Sequence, residues 1–269
     1  MIPLTGPAAD GRRFFQPHTG PTTTNGLTGP GLIGLDLPTC RRRTEPLQPQ
    51  PPHQTNPNPN PKDTPMLDTD RITAAFRLAA DVHRTQTRKG TDIPYIAHPM
   101  AVASQVLLWG GSEDAFIGAL LHDVLEDGSP AYASEIREKF GETVLGIVEA
   151  CSELRPEPGD HIPWLTRKTT YIAHLEALGE EGEPQAVVEG ALLVGAADKR
   201  HNLESILEEV RARGDAVFSK FVTEEPDPAK KKELSLWYYE SLVSIYEKKG
   251  VKGAAELRRI LEEIRALCA

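Results

Sequence analysis

The chain has 269 residues, with 30 Lys+Arg against 39 Asp+Glu and a net charge of −9. An acidic chain of this size is a poor general binder of nucleic acid or of an anionic membrane, so a polyanionic ligand has to be held by a local basic cluster or by a metal. Three scattered cysteines (Cys40, Cys151, Cys268) with no Cys-x-x-Cys pair argue against a disulfide scaffold and a cysteine-rich zinc module. They fit a reducing compartment, the cytoplasm. No run of about 20 apolar residues offers a membrane span.

The first 65 residues are a different material from the rest. They hold 14 of the 23 prolines, including an Asn-Pro repeat from Asn56 to Pro61, and carry a net charge of +2 that leaves −11 for the remainder. Proline removes backbone donors and fixes φ, so residues 1–66 are expected to be a disordered extension. The segment lacks the apolar core of a secretory signal, and residues 1–65 lack the serines usual in a transit peptide. It reads as an inert extension, as a polyproline docking tail, or as sequence ahead of a true start at Met66. The domain is expected over 67–269.

From Asp68-Thr69-Asp70, a good helix start, apolar residues recur at steps of three and four. Ile72, Phe76, Ala79 and Val82 are expected on one face of a first helix. Pro99 sits where a first-turn proline is tolerated, ahead of Val102, Val106 and Leu107. Ser112 reads as an N-cap before a helix carrying Ile117, Leu120, Leu121, Val124 and Leu125. Another runs through Val144, Ile147, Val148 and Cys151. After a loop from Arg155 to Pro163, helices are expected over Trp164–Leu178, from Pro184 to about Arg213, over Glu233–Lys249 and over Ala254–Leu267. Lys230-Lys231-Lys232 reads as an exposed loop. Alternating strand patterns are absent, and the fold class is a single all-α domain.

One stretch breaks the pattern. In Leu120-Leu121-His122-Asp123-Val124-Leu125-Glu126-Asp127, continuous helix would place His122 and Glu126, and Asp123 and Asp127, on one polar stripe flanked by apolar residues. Three carboxylates so placed repel and are costly to desolvate unless a cation or proton offsets them. A histidine precedes a helix start in Pro94-Tyr95-Ile96-Ala97-His98-Pro99. A further polar cluster, Asp198-Lys199-Arg200-His201-Asn202, follows the apolar run Leu192-Leu193-Val194. His98, His122, Asp123 and Asp198 together form a two-nitrogen, two-oxygen donor set suited to Mn²⁺, Fe²⁺ or Zn²⁺.

These blocks, with Gln86-Thr87-Arg88-Lys89 ahead of the first, resemble the HD-domain metal-dependent phosphohydrolases. Within them they are most similar to the hydrolase domain of the RelA/SpoT family, whose substrates belong to the stringent response. The resemblance implies an HD-type helical fold and removal of the 3′-diphosphate from guanosine tetra- and pentaphosphate, yielding GDP or GTP and pyrophosphate. It implies Mn²⁺ on His98, His122, Asp123 and Asp198, a catalytic pair in Glu126 and Asp127, Arg88 along the guanine base, and Asn202 on the nucleotide. Lys89 and Lys168 are added from their charge as phosphate contacts, Lys168 beside Arg167 on a helix; Lys199 and Arg200 have ordinary helix pairing as the stronger reading. His83 and His201 are read as core or surface histidines ahead of partners that orient ligands.

The spacer Gly90-Thr91-Asp92-Ile93 departs from the family's usual Ser-Gly-x. This puts base recognition in question and keeps a second reading, an HD phosphohydrolase for another nucleotide such as NADPH, an adenosine alarmone or a deoxynucleotide. A third, a non-catalytic alarmone-binding or antitoxin-like partner protein, is opposed by the intact Glu126–Asp127 pair, since a pure binder needs no general base. The expected partner is a small nucleotide, with no nucleic acid and no membrane, and the sequence is compatible with a homo-oligomer.

Overall fold

The computed structural model describes residues 67–153, 161–180, 182–222 and 224–269. The chain divides into Met1–Asn58 and Pro59–Ala269, and the described residues all belong to the second unit. The expected disordered extension, with the docking-tail and Met66-start alternatives read for it, and residues 155–160 of the expected loop lie outside the described residues.

The first helix, α1 (Thr69–Val82), opens where Asp68 caps it, Oδ1 accepting from the amides of Asp70 at 2.9 Å and Arg71 at 3.2 Å. Its buried side is Ala75, Leu78 and Ala79. Phe76, expected there, is 40% exposed. Small Ala75 and Ala79 define the packing face, and Phe76 is turned from Ala75 by about 100°. A loop closed by the isolated Thr87–Pro94 bridge leads to α2 (Ala97–Leu108), which has Pro99 in its first turn. Ser112 Oγ then accepts from the amide of Ala115 at 3.1 Å and starts α3 (Glu113–Leu121).

The expected continuous helix through Asp127 is not what forms. α3 stops at Leu121, and Val124–Gly128 is wound as a single π-turn. Such wide turns recur at functional sites because they rotate side chains off the α-helical register. Glu126 and Asp127 thus sit on a turn wound differently from the helix that ends just before His122 and Asp123.

Next come α4 (Tyr132–Phe140) and α5 (Glu142–Cys151). α4 was not expected, because it buries only Ile136 and Phe140, a pair four apart that makes no longer pattern. α6 (Trp164–Ala177) and the long α7 (Gln185–Arg213) lie close to expectation. A 3₁₀ turn (Gly214–Lys220) follows α7 ahead of α8 (Pro228–Lys248), and α9 (Ala254–Leu267) comes last among the helices described. α8 starts five residues before the expected Glu233, because Asp227 Oδ1 accepts from the amide of Ala229 at 2.9 Å and Pro228 fits the first turn. Lys230, Lys231 and Lys232 are therefore helical, not a loop. Among the described residues there is no strand, as the all-α reading expects, and no helix is long and apolar enough to cross a membrane.

Two apolar clusters share α7. One gathers α1 to α5 with Val194 and Ala197; the other gathers α6, a face of α7 from Val188 to Val210, α8 and α9 around Leu203, Leu242, Tyr246 and Leu257. Two glycines let α3, α5 and α7 close on fully buried Ile147. A Cβ at Gly118 would meet Ile147 Cγ2 at 2.6 Å, and one at Gly190 would meet its Cδ1 at 2.4 Å. Gly190→Ala is accordingly expected to destabilise the domain by about 1–3 kcal/mol through overpacking, despite alanine's better helix propensity. A lower urea midpoint at unchanged m-value checks this.

Candidate active site

Three helices bring the four expected donors to the seam of the two clusters. His98 lies in the first turn of α2, His122 and Asp123 directly follow α3, and Asp198 is in the middle of α7. His122 Nε2 lies 3.1 Å from Asp123 Oδ2 and 3.9 Å from Asp198 Oδ1; His98 Nε2 lies 3.0 Å from Asp198 Oδ1 and 3.6 Å from Asp123 Oδ2. Ligands about 2.1 Å from one ion stand about 3.0 Å apart at right angles and about 3.4 Å apart in a tetrahedron, so these separations suit a divalent cation. His98, His122 and Asp123 form a potential metal-binding group with donor atoms within 4.8 Å of one another.

Hydrogen bonds set how these donors face one another. His122 Nδ1 donates to the carbonyl of Ala119 at 2.8 Å, which turns Nε2 toward the carboxylates; buried Nε2 has no hydrogen-bond partner of its own. A lone pair aimed at carboxylate oxygens needs a cation or a proton between them. Burial opposes a charge on His122, but Asp123 and Asp198 outweigh it and raise its pKa to about 9. In the same field, His122 and His98 outweigh burial and hold Asp123 below the usual carboxylate range; His98 itself is lowered by burial. Tyr95 Oη donates to Asp123 Oδ2 at 2.8 Å, and Asn202 Nδ2 donates to Asp198 Oδ1 at 2.6 Å. Lys199 Nζ bonds the other oxygen, Asp198 Oδ2, at 2.5 Å.

Of the donors, His98, Asp123 and Asp198 line a cleft of about 810 Å³, and His122 is buried. Glu126 and Asp127 also line the cleft. Glu126 accepts the amide proton of Glu153, and burial, then Asp123 and Glu153, push its carboxyl up to about 7. Asp127 Oδ2 is 3.8 Å from His83 Nδ1. Arg88 Nη2 donates to Asn202 Oδ1 at 2.7 Å, and the guanidinium sits 5.7 Å from the centre of the Tyr95 ring. Lys168 is bonded to Glu153 and lies 4.5 Å from the centre of the Tyr238 ring. Lys89 stands at the exposed end, near Lys220, its pKa lowered by burial and by the cations Lys220, Lys231 and Arg167.

All the sequence-derived site residues thus meet in or under one cleft. Arg200 does not join them, for it pairs with Glu204 and Glu256 as the bland reading expects. Lys199 is held on Asp198, its charge favoured there against burial. The sequence reading gave no role to Tyr95, Glu153 or Lys220. Tyr95 stood within a quoted motif, but only the fold shows its hydroxyl on Asp123. Glu153 lies two residues beyond α5 and Lys220 ends the 3₁₀ turn, and neither carries a pattern.

The chain is similar to known proteins over part of their length. A guanosine-3′,5′-bis(diphosphate) 3′-pyrophosphohydrolase of Aquifex aeolicus is 41% identical over 85 residues, 32% of this chain and 12% of that protein. The bifunctional (p)ppGpp synthase/hydrolase SpoT of Escherichia coli is 30% identical over 138 residues, 51% of this chain and 18% of that protein. The chain thus spans less than a fifth of the length of these relatives. A solved structure of a metazoan ortholog of SpoT that hydrolyses ppGpp superposes with a TM-score of 0.53 at 22% identity, covering 74% of this chain and 96% of that one, a likeness of fold. The pattern of the HD-domain family matches residues 75–222, more than half of the chain, and that span carries every buried histidine and aspartate described above: the chain belongs to the HD-domain family.

Proposed function

We propose that this protein hydrolyses the 3′-diphosphate of guanosine tetra- and pentaphosphate to GDP or GTP and pyrophosphate, with Mn²⁺ held by His98, His122, Asp123 and Asp198. The observation that carries the reading is the buried two-histidine, two-aspartate cluster under a cleft whose wall holds a carboxyl poised near neutrality. The names of the similar proteins support it. When bound, a divalent cation supplies Lewis-acid polarisation of a phosphoryl oxygen and lowers the pKa of the attacking water. Glu126, with its carboxyl raised to about 7 and Asp127 beside it, takes the proton from that water. Water adds to the phosphorus next to the ribose 3′ oxygen, the P–O3′ bond breaks and the proton passes to O3′; Lys168 pairs with the non-bridging oxygens of the diphosphate that takes up the water oxygen. Arg88, fixed by Asn202, and Lys89 at the outer end orient the nucleotide. The cytoplasm, where nucleotides and a reducing environment coincide, is the place this reading assigns.

One observation favours the second reading, a different nucleotide. Beside Arg88 the cleft wall is made by Thr91 and Ile93; Thr91 Oγ1 is spent on the carbonyl of Arg88 at 2.9 Å, and Ile93 is apolar. Neither is a donor set for the edge of guanine.

The test is hydrolysis by the full chain of ppGpp, NADPH, an adenosine alarmone and a deoxynucleoside triphosphate, with and without Mn²⁺, with product analysis. The expected result is Mn²⁺-dependent release of GDP and pyrophosphate from ppGpp, at a kcat/KM at least about tenfold above the others, a preference of about 1.4 kcal/mol. Preferred cleavage of another nucleotide moves the assignment to the second reading. Binding without turnover of any of them overturns the enzymatic assignment.

A further inference from the structure

Each donor of the cluster is braced by a different group. His122 is held by a backbone carbonyl, Asp123 by the hydroxyl of Tyr95, and Asp198 by Asn202. His98 is held by a second imidazole: its Nδ1 lies 2.8 Å from His201 Nδ1, with ring centres 4.8 Å apart and planes 42° from parallel. Two ring nitrogens at that distance share one proton, so one is the donor and the other the acceptor.

The other side of His98 decides which. Its Nε2 faces Asp198 and Asp123. A ring that turns the Nε2 lone pair to a cation carries its proton on Nδ1, and His201 Nδ1 is then the acceptor. We infer that His201 is a positioning residue for metal binding: it fixes the tautomer and orientation of His98 by accepting the Nδ1 proton. This rests on the assignment of His98 as a ligand made above.

Two features make the arrangement sensible. His201 is three residues beyond Asp198 on α7, so the two side chains share a helix face, and the helix that supplies one donor also braces another. Metal-bound histidines are usually braced by a carboxylate, a backbone carbonyl or water. Here Asp123, Asp198, Glu126 and Asp127 already crowd the site, and a further carboxylate beside them would add repulsion in a buried setting. An imidazole accepts the same hydrogen bond without adding a charge.

The test measures Mn²⁺ affinity of the full chain, by the paramagnetic resonance signal of free Mn²⁺, for the parent and for His201→Phe, His201→Asn and His98→Ala. Phenylalanine keeps the ring and removes the acceptor; asparagine puts an oxygen where Nδ1 stood. The expected result is an affinity about 10- to 100-fold weaker for His201→Phe, recovered to within about threefold by His201→Asn. If His201→Phe binds as the parent does, or if both substitutions weaken binding alike, while His98→Ala abolishes it, the brace is overturned and the metal site stands. If His98→Ala binds as the parent does, the metal assignment fails and the brace with it. Should His201→Phe not fold, imidazole ¹⁵N spectra of the Zn²⁺-loaded parent decide. They are expected to show the His98 proton on Nδ1 and none on His201 Nδ1, and the reverse overturns the inference.

Discussion

Asp123→Ala is expected to lower Mn²⁺-dependent hydrolysis by about 10³-fold or more, because a Lewis acid is worth several kcal/mol of transition-state stabilisation. Asp123 is the hub of the cluster. Its Oδ2 accepts from Tyr95 at 2.8 Å and lies 3.1 Å from His122 Nε2 and 3.6 Å from His98 Nε2. Its loss removes one donor and releases two others from the charge that orients them. The fold should survive, since Asp123 belongs to neither apolar cluster. Circular dichroism and Mn²⁺ titration separate the effects: an intact spectrum with lost binding is the expected pair. A variant that keeps a tenth of parental turnover would overturn the metal assignment.

The second large effect concerns Glu126. Glu126→Gln is expected to reduce kcat by about 10²–10⁴-fold while leaving Mn²⁺ affinity nearly intact, because the residue serves as proton acceptor and not as a ligand. The pH profile gives the sign. A general base works ionised, so parental kcat/KM should fall about tenfold per unit as pH drops below about 7. A cation nearby favours the carboxylate, so saturating Mn²⁺ moves this limb to lower pH. The variant should lack the limb; its persistence would assign the proton to another group.

Stability should move the opposite way. A carboxyl whose folded pKa is raised, here from 4.5 to about 7 by burial, binds its proton more tightly when folded. It therefore loses stability as pH rises from about 4.5 to 7. Glu126→Gln should stabilise the metal-free protein at pH 8 by on the order of 2 kcal/mol, less than full burial would imply because the group keeps some contact with the cleft. Thermal melting at pH 5 and pH 8 tests this, with the gain expected only at the higher pH. Such an exchange of stability for activity is usual where a charge is kept buried for chemistry.

The sequence by itself determined the all-α class and most helix starts, and it singled out the histidines and aspartates that the fold brings close together. It could do so because those features are local. Caps such as Asp68 and Ser112 act within three residues, and a histidine or aspartate amid leucines is conspicuous wherever it stands. Only the tertiary structure decided the rest. That α3 gives way to a π-turn after Leu121, that α8 begins at Pro228 and that Phe76 faces out depend on which neighbouring faces compete for burial. The braces are more remote still. Tyr95 meets Asp123 across 28 positions, His98 meets His201 across 103 and Arg88 meets Asn202 across 114. Hydrogen bonds of that reach leave no periodicity in the chain, because their geometry exists only once α2, α3 and α7 have packed.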